Sequence, residues 1–259
     1  MLSNIITFHS FKGGNGKSLI ATALSYYCAT VLKEKTIIFD CDFNAPSLNT
    51  FLPKKYRFTL LDYFEGTKTF ENIVTEPIKN LSAVYAPPPA EGKEILNMDE
   101  KWHARMLQKM FSLLTHLEKS NFRWIIFDNQ SGLSRVAINF LMLSNCSITL
   151  LRPSRYAVNG SLSLSKEIFS KIKKINSDPR KDFLLWNQIP NSEESDAKIK
   201  SLIKSFNEQF TKLEINSIGE IYYLDKIASL LFLEEEIDLT EIINHFEKTL
   251  KNIIEKINN

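Results

Sequence analysis

The sequence has 259 residues, of which 44% are hydrophobic, and a formal charge of +2 from 32 basic and 30 acidic side chains. A chain of this length can bury a sizeable core without a disulfide or metal staple, and its small charge neither indicates nor excludes nucleic acid as a partner. Three scattered cysteines without a C-x-x-C pair predict neither a zinc site nor a disulfide framework, and favour free thiols in a reducing compartment.

Apolar runs alternate with amphipathic stretches along the chain, and this order is typical of an α/β fold. The strand candidates are Asn4–His9, Thr36–Phe39, Leu81–Tyr85, Trp124–Phe127, Ser147–Leu151, Asp182–Trp186 and Ile218–Ile221. The helix candidates are Lys17–Lys33, Asp99–Lys119, Leu133–Ser144, Val158–Ile175, Glu193–Lys212, Asp225–Leu233 and a last helix from Leu239 to Ile257. We predict a single domain over residues 1–259, with a doubly wound, mostly parallel sheet covered by helices on both faces.

The start of the chain is a short strand-like run, Met1–Phe8, without the basic and apolar leader of a secreted protein. No run of roughly eighteen apolar residues occurs, so we expect no membrane span. Together with the free cysteines, these features predict a cytoplasmic protein.

The segment Phe11–Ser18, F-K-G-G-N-G-K-S, contains three of the chain's eight glycines. Glycines in such a cluster let the backbone turn tightly and point successive N–H groups at an anion, and the following helix adds its positive dipole end. Lys17 could then reach the β- and γ-phosphates of a nucleotide, and the hydroxyl of Ser18 could bind Mg²⁺. A strand before the segment and a helix after it favour a phosphate-binding loop over an empty glycine-rich turn.

This segment does not meet the strict phosphate-loop motif, because Phe11 stands where that motif has glycine, but it carries a second lysine at Lys12. The pattern K-G-G-x-G-K-S resembles the deviant Walker motif of the ParA/MinD family of ATPases. The resemblance implies ATP and Mg²⁺ as cofactors and an ATP-dependent homodimer, in which Lys12 reaches the nucleotide of the partner subunit. It also implies that the nucleotide is held by Gly13, Gly14, Asn15, Gly16, Lys17, Ser18 and Leu19.

Two carboxylates, Asp40 and Asp42, follow the second predicted strand, at the sheet edge where open α/β sheets bind ligands. By resemblance to the D-x-D segment of the family, Asp42 orients the attacking water and Asp40 supports the Mg²⁺ shell. The alternative is that both side chains only cap the turn that follows, a task to which aspartate is also suited.

The strand candidate Trp124–Phe127 ends in Asp128, which would hold Mg²⁺ near Ser18 as a Walker B carboxylate. Family members usually continue D-x-P-x-G, whereas this chain has Gln130 in place of the proline and keeps the glycine as Gly132. The resemblance makes Gly132 a candidate γ-phosphate sensor. A plain buried strand followed by a turn is the alternative for this segment alone.

Two further segments concern the base. Leu184–Gln188 resembles the family strand that ends in an adenine-reading asparagine, and Asn187 offers the donor and acceptor that an adenine edge needs. Gly219–Tyr222 stands in the place of the family's G-x-I-P, with Tyr222 replacing the proline. Earlier in the chain, Pro87–Pro89 followed by Glu91–Gly92 predicts a surface loop.

The last predicted helix has apolar residues at helical spacing, and Asp238 with Glu241 resembles a capping box. It could lie on a membrane surface or pack on the sheet. Its polar face mixes acidic and basic residues and it lacks tryptophan, so packing is favoured. MinD-like relatives carry an amphipathic extension after this helix, and the sequence ends at Asn259, so membrane targeting by that route is not expected.

Clustered lysines and arginines make non-specific DNA one candidate cargo, since they could neutralise several phosphates, although a solvated helical face explains them equally well. They are Lys166, Lys171, Lys173, Lys174, Arg180, Lys181, Lys198, Lys200 and Lys204. The resemblance as a whole implies a dimerising switch ATPase that positions or partitions a cargo, with slow hydrolysis stimulated by a protein partner. The alternative is a module that uses ATP as a scaffold with little or no hydrolysis.

Overall fold

The computed structural model describes residues 3–95, 97–175, 180–191, 196–233 and 237–259, with backbone only at 155–157, 173–175 and 196. The strands are β1 (Asn4–His9), β2 (Thr36–Cys41), β3 (Thr75–Ile78), β4 (Leu81–Val84), β5 (Trp124–Asn129), β6 (Cys146–Leu151), β7 (Lys181–Ile189) and β8 (Ile215–Tyr222). The helices of the first half are α1 (Lys17–Thr30), α2 (Leu48–Phe51), α3 (Leu60–Glu65), α4 (Phe70–Ile73), α5 (Pro89–Ile95) and α6 (Glu100–Lys119). Those of the second half are α7 (Arg135–Leu143), α8 (Arg155–Ile175), α9 (Asp196–Thr211), α10 (Asp225–Leu233) and α11 (Leu239–Asn258).

The strands form one sheet in the order β3-β4-β2-β5-β1-β6-β7-β8. All neighbours are parallel except β3 and β4, which form an antiparallel edge. A hydrophobic core lies on each face of the sheet, and consecutive residues of the central strands pack into opposite cores. Ile6 packs with α1 and α11 on one face, and Ile5 packs with α6 and α7 on the other. Because both faces are buried, these strands read as continuous apolar runs rather than alternating ones. The predicted fold class is therefore confirmed.

The central position of β1 determines where a ligand can bind. β1 lies between β5 and β6: the chain continues from β1 to β2 on one side of it, and later crosses from β5 to β6, β7 and β8 on the other side. In open α/β sheets, such a reversal leaves a crevice at the carboxyl ends of the strands. The loops that follow β1, β2 and β5 meet at that edge.

The predicted strands and long helices are present, with ends that differ by a few residues. Glu193–Ser195, the start of one predicted helix, lies outside the described residues. The prediction missed β3 and four short helices (α2 to α5), because elements of four to seven residues leave too little periodicity to detect.

The predicted surface loop at Pro87–Gly92 is wrong in its second half, because α5 begins at Pro89. Proline is well tolerated in the first turn of a helix, where its missing N–H would have no helical partner. Gly92 is buried in this helix against the carbonyl group of Phe43. The proline run therefore leads into α5, and this helix supports the loop after β2.

The last helix packs on the protein, as predicted. Its apolar stripe, including Leu250 and Ile253, is buried in the same core as α1. Asp238 is the N-cap of α11, and its carboxylate accepts a hydrogen bond from the backbone N–H of Thr240 at 2.8 Å. Within the part of the chain that the structure describes, no helix has the length and apolar character needed to cross a bilayer.

Candidate nucleotide site

Residues 10–16 join β1 to α1 and curve around a cleft at the carboxyl edge of the sheet. Gly14 and Gly16 have φ of 78° and 77°, in the left-handed region that glycine adopts without steric cost. Gly16 is also the N-cap of α1. A Cβ atom at Gly16 would lie 2.4 Å from Nδ2 of Asn187, so the loop needs glycine here for close approach as well as for its φ.

Amide side chains hold this loop against the neighbouring strands. Asn187 donates from Nδ2 to the carbonyl of Asn15 at 2.8 Å, and Gln188 donates from Nε2 to the carbonyl of Gly14 at 3.1 Å. Asn15 in turn donates to the carbonyl of Leu150 at 3.2 Å. The C=O and N–H groups of one trans peptide point in opposite directions, so these bonds turn the following N–H groups away from β7. Such an arrangement is suited to an anion.

Beneath the loop, Nζ of Lys17 lies 2.9 Å from Oδ1 of Asp128, with side chains only 6% and 0% exposed. Burial lowers the pKa of Lys17, but attraction to Asp128 and the hydrogen bond to it outweigh this effect and raise the pKa above its ordinary value. The ammonium group therefore keeps its charge. The other oxygen of Asp128, Oδ2, is buried and has no hydrogen-bond partner among the described residues.

Asp40 organises the loop that follows β2. Its Oδ1 accepts a hydrogen bond from the N–H of Asp42, and its Oδ2 accepts from Ser47 and Leu48, all at 3.0 Å. Burial raises the pKa of Asp40 to about 7, and the nearby charge of Asp128 adds to this effect. Asp40 and Asp128 are register partners on β2 and β5, so the pairing of the strands brings the two carboxylates together.

Asp42 is half-buried and lines the cleft. Its Oδ1 accepts hydrogen bonds from the N–H groups of Asn44 at 3.2 Å and Ala45 at 3.0 Å. Burial raises its pKa, although Lys17 acts in the opposite direction. Asp40 and Asp42 therefore both cap the turn, as the alternative interpretation of the sequence expected, and Asp42 in addition faces the cleft.

The loop after β5 is joined to the phosphate loop. The N–H of Gly132 donates to the carbonyl of Ser10 at 2.9 Å, and Gly132 has a φ of 85°. The hydroxyl of Ser10 donates to the carbonyl of Lys12 at 2.9 Å and lies 3.2 Å from the hydroxyl of Ser131. Gly132 is thus placed beside the turn that would carry the phosphates.

The cleft has a volume of about 450 Å³, within the range of small-molecule sites. Its far end is apolar and is formed by the end of β8, the segment that follows it and α10. The residues that line it there include Ile221, Tyr222, Tyr223, Leu224, Ile227 and Leu231. One end of the cleft is therefore suited to phosphates, and the other to a planar base.

Comparison with known proteins agrees with this geometry. Residues 3–182 match a family model described as AAA domain. The septum site-determining protein MinD of Buchnera aphidicola subsp. Acyrthosiphon pisum (strain APS) is 26% identical over 188 residues, covering 71% of this chain and 66% of that protein. The match thus spans slightly less than two thirds of the relative's length.

Solved structures share the fold. A putative plasmid partition protein of Borrelia burgdorferi B31 bound to AMPPNP has a TM-score of 0.72 and 19% identity, covering 98% of this chain and 99% of that one. MinD from Pyrococcus horikoshii OT3 complexed with Mg-ADP has a TM-score of 0.71 and 15% identity, covering 100% and 97%. The chain belongs to the ParA/MinD family of P-loop ATPases.

Most of the predicted nucleotide contacts of this ParA/MinD chain line one cleft. They are Gly13, Gly14, Asn15, Gly16, Lys17, Ser18, Leu19, Asp42 and Asn187. Asp40, Asp128 and Gly132 are not part of this lining: the two aspartates are buried and Gly132 is half-buried, while Lys12 is exposed on the loop. Ser10, Gln188 and the apolar wall of α10 were not predicted from the sequence, because none of them carries a motif.

Two of the three predicted magnesium ligands fit a cation site in a ParA/MinD protein. Asp128 has a buried carboxylate oxygen without a partner among the described residues, and Ser18 lines the cleft. Both oxygens of Asp40 already accept backbone hydrogen bonds. In the structure Asp40 therefore stabilises the loop that follows β2, and its part in a magnesium shell stays a prediction.

Several residues of the predicted DNA surface are engaged elsewhere. Arg180 is 3% exposed and its Nε pairs with Asp182 at 2.7 Å. Lys181 donates to the carbonyl of Ile257 at 2.8 Å, and Lys171 pairs with Glu167 at 2.8 Å on the same helix. The side chain of Arg180 is therefore buried beside the start of β7, and its assignment to an exposed DNA surface was wrong. Lys166, Lys198, Lys200 and Lys204 are exposed, while the side chains of Lys173 and Lys174 lie outside the described residues.

Proposed function

We propose that residues 1–259 form one cytoplasmic P-loop ATPase domain that dimerises on binding ATP and positions or partitions a cargo such as DNA or a protein complex. Hydrolysis is slow in this proposal, and an activating protein partner stimulates it. The observation that carries the proposal is the buried Lys17–Asp128 pair beneath a phosphate-loop turn that also bears an exposed lysine, Lys12. The bound AMPPNP and Mg-ADP of the two structural neighbours support a nucleotide in this cleft.

Each side chain has a task that follows from its place. Lys17 would exchange Asp128 for an oxygen of the β- or γ-phosphate, because its charge is retained and the phosphates would lie above it. Asp42 would orient the attacking water, and Gly132 would contact the γ-phosphate. Asn187 would accept a hydrogen bond from the amino group of adenine, since its Nδ2 already donates to the phosphate loop.

The exposed ammonium group of Lys12 would serve the partner subunit. Two facing triphosphates bring many negative charges together, and a lysine supplied across the interface offsets their repulsion. Mg²⁺ would be held by Ser18 and Asp128 and, when bound, neutralises charge on the β- and γ-phosphates.

The test is the oligomeric state under ATP-Mg²⁺ or ADP-Mg²⁺, measured by light scattering beside phosphate release. We expect Asp42→Ala to form a long-lived ATP dimer and to remain a monomer with ADP. Lys12→Ala should bind ATP but stay monomeric, while Lys101→Ala, which replaces an exposed lysine on α6, should behave as the wild type. A monomeric Asp42→Ala protein with saturating ATP would contradict the dimer, and normal turnover in that variant would remove Asp42 from hydrolysis.

The second candidate is an ATP-binding scaffold that dimerises without turnover. It is favoured by Gln130, which is buried where the family usually has proline and so changes the turn beside Gly132. Phosphate release by the wild-type dimer under saturating ATP-Mg²⁺, with candidate partner proteins added, separates the two functions.

The cargo can be tested with the same ATP dimer. Binding of Asp42→Ala to arbitrary duplex DNA at low and high salt, with ATP or ADP, would identify a DNA switch if it required ATP and weakened with salt. The exposed lysines of α9 would then be the surface to mutate. Absence of DNA binding by a confirmed dimer would direct the search to protein complexes.

A further inference from the structure

One side chain bridges two loops of the cleft: the Asp42 loop, residues 42–47, and the Gly132 loop, residues 130–134. The amide of Gln130 is buried, with 1% of the residue exposed. Its Oε1 accepts a hydrogen bond from Nδ2 of Asn44 at 3.3 Å, and its Nε2 donates to the hydroxyl of Ser134. Among the hydrogen bonds of the described residues, the Gln130–Asn44 bond is the one that joins these loops directly.

The register of the sheet explains why one side chain can span this distance. β2 and β5 are parallel neighbours, with Cys41 opposite Asn129 at their carboxyl ends. The two loops therefore leave the sheet side by side, and Gln130 is the first residue after β5. Its own N–H donates to Oδ1 of Asn129 at 3.0 Å, which fixes the start of the side chain.

On the Gly132 side, the bridge ends at the start of α7. The hydroxyl of Ser134 caps this helix by accepting from the N–H of Ala137 at 3.1 Å. Asn129 donates to the carbonyl of the same Ala137 at 2.9 Å. The far end of the Gln130 amide is thus attached to a helix terminus that is itself fixed.

On the Asp42 side, the bridge ends on an exposed segment. Asp40 and Asp42 hold the loop from within, and Gly92 supports it from α5, where a Cβ atom would lie 2.0 Å from the carbonyl oxygen of Phe43. Asn44, next along the chain, is exposed and gives its Nδ2 to Gln130. The bridge from Gln130 therefore attaches to the Asp42 loop two residues after Asp42.

We propose that Gln130 is a positioning residue that couples the Asp42 loop to the Gly132 loop, so that contact of Gly132 with a γ-phosphate is transmitted to Asp42. This inference rests on the proposed ATPase function for its consequence, but not for the coupling itself. A buried amide that loses one partner is left with an unsatisfied polar group, so the bridge favours joint movement of the loops over separate movement. A proline at this position would supply neither the donor nor the acceptor.

The coupling is tested by amide hydrogen exchange of the segment 42–48 without nucleotide, in the wild type, Gln130→Ala, Asn44→Ala and the double variant. We expect exchange about tenfold faster in each single variant, and no further increase in the double variant, because both lose one shared bond. Asn49→Ala is the matched control, since this exposed asparagine accepts from the N–H of Lys54 instead. Unchanged exchange in Asn44→Ala, whose exposed side chain can be removed without disturbing the core, would overturn the coupling.

Single-turnover hydrolysis supplies the functional outcome. We expect Gln130→Ala and Asn44→Ala to reduce the rate about tenfold while ATP affinity changes by less than about twofold, because the bridge positions Asp42 and does not touch the nucleotide. An equal loss of rate and affinity, or an unchanged rate, would overturn the positioning role. A wild type that binds ATP without hydrolysing it would refute the proposed function instead, and the exchange measurement would still decide whether the loops are coupled.

Discussion

The two halves of the cleft are built in different ways. At the phosphate half, buried charges and amides fix the backbone: Lys17 pairs with Asp128, Asp40 accepts three backbone hydrogen bonds, and Asn187 holds the loop. At the base half, apolar side chains of α10 form the wall, and Leu231 at 37% exposure is followed by Phe232 at 86%. The phosphate half therefore specifies geometry, whereas the base half supplies contact area.

This difference predicts how each half responds to substitution. Removing a buried charge or amide leaves its partner buried without a counter-charge or a hydrogen bond. The resulting loss of stability or nucleotide affinity is large and specific to that interaction. Removing part of an apolar wall loses only transfer free energy in proportion to the area, and the loss is small and similar for every nucleotide with the same base.

The largest effect is expected for Lys17→Ala. Without the ammonium group, affinity for ATP, ADP and GTP should each fall by more than about 100-fold, since all three present phosphates to the same lysine. Isothermal titration calorimetry measures the affinities. The substitution also leaves Asp128 buried without its cation and should lower the free energy of unfolding by about 3–5 kcal/mol.

A double variant separates binding from folding. Asp128→Asn in the Lys17→Ala background removes the buried charge, so it should recover most of the stability in thermal unfolding while nucleotide binding stays lost. Recovery of ATP binding in the double variant would show that the single variant had failed for lack of folding rather than for lack of the lysine.

A pH effect is expected below the phosphate half, at His9. This last residue of β1 is fully buried, and neither ring nitrogen has a partner among the described residues. Burial, with a smaller contribution from Lys17, lowers the pKa of His9 from 6.5 to about 3. Between these values the unfolded chain binds a proton that the folded protein does not. Stability conferred by neutral His9 is complete above pH 6.5 and is lost as the pH falls toward 3.

The variant His9→Phe keeps a ring of similar size and cannot titrate. Relative to this variant, the wild type should lose up to about 1.4 kcal/mol of unfolding free energy per pH unit below pH 6.5, measured by urea unfolding from pH 7 to 4.5. His245→Gln serves as the control, because that side chain is 33% exposed. Parallel pH profiles for the wild type and His9→Phe would contradict the buried neutral histidine.

The same contrast explains what the sequence could and could not predict. The fold class, Lys17 and Gly16 were predictable, because a phosphate cradle needs glycine and lysine at fixed spacing and buried parallel strands are continuous apolar runs. Asp40 and Asp42 were placed at the correct strand end, but the three backbone bonds of Asp40 depend on where residues 47 and 48 fold back.

The base half was not predictable for a physical reason. A wall made of leucine, isoleucine and tyrosine has no required spacing, so the sequence predicted a helix at Asp225–Leu233 but gave no sign that it lines the cleft. Gln188 is similar: it has a φ of 55° near the end of β7 and donates to the phosphate loop from there. A single polar residue outside a motif does not show from the sequence that it contacts the phosphate loop. Arg180 was misassigned for a related reason, because the burial of its charge next to Asp182 depends on tertiary packing.

Asn187 lies where the two halves meet, so its loss should affect specificity. We expect Asn187→Ala to lower the ratio of ATP to GTP affinity by about tenfold, because an asparagine oxygen that accepts from adenine would meet a carbonyl oxygen in guanine. Gln188→Ala is the matched control, since it removes the adjacent amide bond to the carbonyl of Gly14. Competition binding gives the ratio, and an equal fall for both nucleotides would assign Asn187 to the phosphate loop alone.

The smallest effect is expected at the base half itself. Leu231→Ala should weaken ATP and ADP binding equally, by about fourfold, which corresponds to the transfer free energy of roughly one methylene group. Leu233 lies on the same helix at 73% exposure and does not line the cleft, so Leu233→Ala should leave both affinities unchanged. Fluorescent-nucleotide titration can resolve this difference. If Leu231→Ala weakened ATP binding and left ADP binding unchanged, α10 would respond to the γ-phosphate. The division of the cleft into a phosphate half and a base half would then be wrong.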